Sequence, residues 1–89
     1  MSTQPSTVPR VQTATVSEPM QLTILFENGV EKKYDLNQLA EYERFALLFH
    51  DPSFVKCVQV DPGGYGVSWN EDMDLSEYEL WTHGAEHAL

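Results

Sequence analysis

Between Trp69 and Glu79 the chain reads WNEDMDLSEYE, with Asn70, Asp72 and Asp74 at alternate positions and Ser76 after them. Oxygen donors at that spacing are how a calcium loop gathers a hard cation. If Asn70 were the first ligand, Leu75 would fall where the loop needs a glycine and Trp81 where it needs a bidentate glutamate. Further on, His83-Gly84-Ala85-Glu86-His87 has the H-x-x-E-H spacing of inverted zinc proteases. That chemistry needs both histidines on one face of a stable helix and a third ligand from elsewhere. Gly84 interrupts such a helix, and His50 is the one other histidine. Neither pattern is expected to hold a metal. Cys57 with a histidine could make a nucleophile and base, but its place between Val55 and Val58 in an expected strand predicts a small buried hydrophobe. Gly63-Gly64-Tyr65-Gly66 is glycine-rich yet joins two expected strands, so it lacks the helix N-terminus that holds phosphate. No catalytic residue, metal or cofactor is expected, and the chain reads as a non-enzyme.

What remains is charge. The formal net charge is −9, and from Asn70 onward there are six carboxylates (Glu71, Asp72, Asp74, Glu77, Glu79, Glu86) with no lysine or arginine. Such a field opposes direct binding to phosphate backbones and favours a basic protein partner. Glu77 and Glu79 serve a helix start, which leaves Glu71, Asp72 and Asp74 as the expected partner-binding acids, with Trp81 as an aromatic anchor. An alternative with the same charge is an acidic mimic of nucleic acid that blocks a nuclease or another nucleic-acid-binding protein. Displacement by DNA or RNA would distinguish the two.

The elements that must position these residues are short. With 89 residues, 42% of them hydrophobic, there is room for one domain with a modest core. The first ten residues, MSTQPSTVPR, predict a disordered leader; residues 11–83 predict a single α+β domain and 84–89 a flexible tail. No apolar run is long enough to cross a bilayer and no signal peptide is evident, so a cytoplasmic location is expected. A single cysteine fits a reducing compartment.

VQTATV (Val11 to Val16) predicts a first strand. In LTILFENGV, Leu22, Ile24 and Phe26 alternate up to Asn28-Gly29. A two-residue turn would set Phe26 opposite Glu31. A three-residue loop with Gly29 left-handed instead pairs Phe26 with Val30, Ile24 with Lys32 and Leu22 with Tyr34, and keeps one face mostly apolar. Asp35 and Gln38 predict a capping box opening one helix that carries Leu36, Leu39, Phe45 and Leu48, with a break near Tyr42. FVKCVQV (Phe54 to Val60) predicts a strand. Tyr65, Val67 and Trp69 share a face of the next one, whose other face, Gly66 and Ser68, is small enough to admit a close neighbour. Ser76 with Glu79 predicts a second capping box, Leu75 and Leu80 its hydrophobic staple, and Gly84 the end of that helix. The expected architecture is a small antiparallel meander or mixed sheet of four to five strands packed on one or two helices.

The order LTILFENG, YDL, FALL, DPSFVKCVQV, GVSWNEDMDL and YEL resembles a small bacterial family known as domain of unknown function 2442, over about Val11 to Trp81. The resemblance implies a small α+β fold without catalytic residues. It also implies a setting: members are often encoded beside another small protein, in toxin–antitoxin-like pairs or on mobile cassettes, and some longer relatives carry a C-terminal helix-turn-helix. No helix-turn-helix is expected in the eight residues after Trp81, so direct DNA binding of that kind is not expected. The expected function is therefore that of an antitoxin-like module holding a small, basic, co-encoded protein.

Overall fold

The computed structural model describes residues 8–18 and 20–86. Most of the expected leader, residues 1–7, and the last three residues of the expected tail lie outside them. The class is α+β, with the strands divided between two antiparallel sheets. The first sheet has the order β1-β2-β3-β7, from β1 (Val11–Glu18), β2 (Gln21–Phe26), β3 (Glu31–Asp35) and β7 (Ala85–Glu86). The second has the order β4-β5-β6, from β4 (Gln59–Val60), β5 (Gly66–Asn70) and β6 (Met73–Ser76). Two short helices, α1 (Ala46–His50) and α2 (Glu77–His83), complete the fold.

The β2–β3 hairpin has the three-residue loop that face polarity demanded. Leu22 pairs with Tyr34 and Ile24 with Lys32, while Phe26 N–H donates to Val30 C=O at 2.9 Å. Gly29 has φ +92°, where an L side chain is strained. Leu22, Ile24, Phe26 and Tyr34 therefore lie on one face, each fully buried. They share a core with Leu36, Leu39, Phe45, Leu48, Val55, Val67, Trp69, Met73, Leu75 and Leu80.

Four expectations are corrected. The single helix across Leu36 to Phe49 is instead two 3₁₀ turns, Leu36–Leu39 and Glu43–Phe45, followed by α1. Its buried residues come in pairs three apart, Leu36 with Leu39 inside the first 3₁₀ turn and Phe45 with Leu48 across the join to α1, a spacing that 3₁₀ and α geometry both allow. Asp35 does cap the first turn, accepting from Asn37 N–H at 2.9 Å. The expected strand Phe54 to Val60 is a 3₁₀ helix over Pro52–Cys57, with only Gln59–Val60 extended. Asp51 caps it through Ser53 N–H, and the helix ends at Val58, whose N–H donates to Val55 C=O. Cys57 is consequently exposed, not buried.

The third correction is at the tail, where Ala85 and Glu86 pair with Lys33 and Lys32 as a fourth strand of the first sheet. Gly84 ends α2 with an ordinary φ of −83°; its N–H still donates to Leu80 C=O. Finally, Arg10, assigned to the leader, is fastened on four sides. Its C=O accepts from Glu27 N–H, its guanidinium donates to Gly63 C=O and lies 3.9 Å from the Tyr65 ring centroid, and its Nε stands 3.5 Å from Glu77.

Candidate functional site

An open cleft of about 410 Å³ is lined by Leu39, Tyr42, Arg44, Phe45, Asp74, Leu75, Ser76 and Glu79. One wall is the 3₁₀ segment and the other is β6 running into α2. Leu39, Phe45 and Leu75 are buried and form its apolar floor. Tyr42 is 55% exposed because its backbone is extended (φ −99°, ψ 115°) between the two 3₁₀ turns, which interrupts the buried spacing of Leu39 and Phe45.

Glu79 is held in that cleft by two partners. The Tyr34 hydroxyl donates to Glu79 Oε2 at 2.7 Å, and His83 Nδ1 lies 3.1 Å from Oε1. Burial of the Tyr34 ring, and then its bond to Glu79, push the phenol well above its ordinary value near 10, so it stays a donor. This bond changes the expected capping box. Ser76 Oγ accepts from Glu79 N–H at 3.1 Å as expected, whereas the Glu79 carboxylate is taken by Tyr34 and His83. Ser76 N–H is left without its usual return bond.

Asp74 is exposed on β6, with its Oδ1 3.9 Å from Arg44 Nη1. Both side chains of that pair are more than half exposed, so it contributes little to stability. Glu71 and Asp72 stand exposed in the β5–β6 turn, which Asn70 shapes by accepting from Asp72 N–H. Beside them is a second depression, lined by Arg44, Asn70, Glu71, Asp72 and Met73. The two depressions share Arg44, so Glu71, Asp72, Asp74 and Glu79 border one face around a single lining cation.

Trp81 is not among these residues. Its ring meets Phe26 edge-on with centroids 5.0 Å apart, and Lys32 lies over it with Nζ 4.0 Å from the centroid while also donating to Trp81 C=O. Trp69 is likewise structural, its indole N–H donating to Val55 C=O at 3.0 Å and its ring edge-on to Phe45. Of the residues that line the cleft, Asp74 alone is among the expected partner-binding residues; Tyr42, Arg44 and Glu79 are polar lining residues that the sequence does not announce. Among the described residues, no three His, Cys, Asp or Glu side chains come together as a metal set.

β6 is also a sheet edge. Glu77 N–H donates to Tyr65 C=O, and Gly66 C=O accepts from Asp61 N–H on the β4 side. In an antiparallel ladder the backbone groups of successive residues point to alternate sides. Leu75 and Glu77 therefore face β5, while the backbone groups of Asp74 and Ser76 turn outward, into the cleft that both residues line.

A family model described as protein of unknown function (DUF2442) matches residues 11–86. No curated protein and no solved structure matches the chain.

Proposed function

Because the chain belongs to the DUF2442 family, whose description assigns no activity, its own surface supplies the reading, and we propose that it is a non-enzymatic, antitoxin-like module that holds a basic protein partner. One observation carries this. Asp74 and Glu79 line a cleft floored by Leu39, Phe45 and Leu75, and Glu71 and Asp72 stand exposed beside it. An apolar centre with a charged, hydrated rim is the anatomy of a protein interface. Glu79 arrives oriented by Tyr34 and His83, so no ordering of that side chain is needed when a cation binds. A nucleic-acid mimic would need only the charges, so the apolar floor favours the protein-binding reading over mimicry.

The test mixes the chain, in a stopped-flow instrument at rising salt, with a basic partner obtained by pull-down or from an adjacent gene. The variant Glu71→Gln, Asp72→Asn, Asp74→Asn should associate about tenfold or more slowly at low salt, the lower range of electrostatic steering. The gap should narrow as the Debye length falls towards about 8 Å. A variant that associates as fast as the parent at every salt concentration rules out this face as the steering surface. Displacement of the partner by duplex DNA would instead support the mimic.

A further inference from the structure

The outward backbone of β6 points to how a partner is held, and we propose that the cleft takes an extended, basic segment of the partner as an added strand along the β6 edge. This rests on the protein-binding reading above. Asp74 N–H, Asp74 C=O and Ser76 N–H all face away from β5, and the Glu79 carboxylate that would normally occupy Ser76 N–H is bound to Tyr34 and His83. A segment in either direction makes three backbone hydrogen bonds to these groups, the recognition mode in which main-chain bonds give affinity and alternate side chains give specificity.

The side chains along the edge state what the segment must carry. Successive residues of an added strand point to opposite faces. One set meets the floor of Leu39, Phe45 and Leu75, which takes small apolar side chains. The other set passes Asp74, with Glu71 and Asp72 beyond it at the turn, and calls for lysine or arginine. Arg44 is the one cation lining the cleft, and its 3.9 Å pair with Asp74 is exposed enough to be exchanged. A second copy of this chain is a poor occupant, because two chains of net charge −9 repel.

The probe is a blocked octapeptide of alternating lysine and valine, titrated into the full chain while backbone amide signals are followed. Asp74 and Ser76 amides are expected to shift together and saturably, and their hydrogen exchange to slow by about tenfold or more at saturation, as newly bonded amides do. Methylating alternate backbone nitrogens of the peptide, in both registers, should weaken binding at least about tenfold in one of them, since only that register removes the N–H that donates to Asp74 C=O and sets methyl groups against the β6 edge. Asp74→Pro deletes an outward N–H at the kind of edge position where proline is tolerated, and should bind worse than Asp74→Asn, which removes the charge alone. If Glu71 and Asp72 shift while Asp74 and Ser76 exchange stays unchanged, strand addition is wrong and acidic recognition stands. If neither region responds to millimolar peptide, strand addition is overturned, and the partner titration above decides the acidic reading by itself.

Discussion

Replacing Gly66 with alanine puts the spacing of the second sheet to a quantitative test. A Cβ there would sit 2.3 Å from Leu75 C=O, 3.1 Å from Ser76 Cα and 3.2 Å from Leu75 C. All three are backbone atoms, so no rotamer relieves the clash. Carbon–oxygen contacts between strands are comfortable near 3.3–3.6 Å, so β6 must retreat by about 1 Å. A retreat of that size takes a 2.9 Å bond such as Glu77 N–H to Tyr65 C=O outside hydrogen-bond range. Overpacking costs about 1–3 kcal/mol and each lost bond about 1 kcal/mol, which gives about 2–4 kcal/mol. Gly29→Ala is the control: nothing lies within 4 Å of its Cβ, so only the strain at φ +92° remains, about 1 kcal/mol. In urea, followed by the fluorescence of Trp69 and Trp81, a slope near 1 kcal/mol per M puts the control about 1 M below the parent and Gly66→Ala at least about 2 M below it. Equal midpoints for the two variants, or a smaller change at Gly66, would refute the close approach of β5 and β6.

Tyr34→Phe should cost about 1 kcal/mol at pH 7 in urea unfolding, because Glu79 loses one bond yet keeps His83 and water. The folded phenol is raised, so its stabilising contribution is complete below about pH 10 and is lost as pH climbs further, where the unfolded chain ionises first. The variant's stability should therefore fall less steeply above pH 10 than the parent's, and parallel slopes would contradict the buried donor. Cys57, exposed on its 3₁₀ turn, should react with a thiol reagent in the folded protein at nearly the rate seen in denaturant; protection of a hundredfold or more would restore the buried-strand reading. Excess calcium or zinc should leave the unfolding midpoint unchanged. A saturating rise at micromolar calcium, abolished by Asp72→Ala with Asp74→Ala, would show a calcium site, and a zinc-induced rise lost in His83→Ala would show a zinc site.

The parts of the fold legible in the sequence are those in which one local rule decides. Asn28-Gly29 and the polarity of the two strand faces select the hairpin register, and Ser76 announces the start of α2 because its hydroxyl needs a partner only three residues away. The 3₁₀ segments are not legible in the sequence, for a physical reason. Buried residues three apart over a short span also fit an α-helix, and Val55, Val58 and Val60 carry the β-branching of a strand. β7 has two residues and no pattern, and its pairing depends on β3 being already in place. Within the site, exposure of Glu71, Asp72 and Asp74 follows from their polarity. The placement of Glu79 does not, because Tyr34 reaches it from 45 residues earlier in the chain. Tyr42 enters the cleft through an extended backbone at a position where helical spacing implied only a break.

Arg10 stands just before the span that the family model covers, residues 11–86. Even so, it ties the β2–β3 loop at Glu27, the turn before β5 at Gly63 and the first turn of α2 at Glu77 to one another. A chain trimmed to the matched span would keep every strand of both sheets and lose the residue whose carbonyl and guanidinium join these three points. The boundary drawn by shared sequence and the boundary drawn by mechanical connection therefore differ by one residue. Removal of that residue by a protease would loosen the start of α2, and with it the end of the acidic face, without touching either.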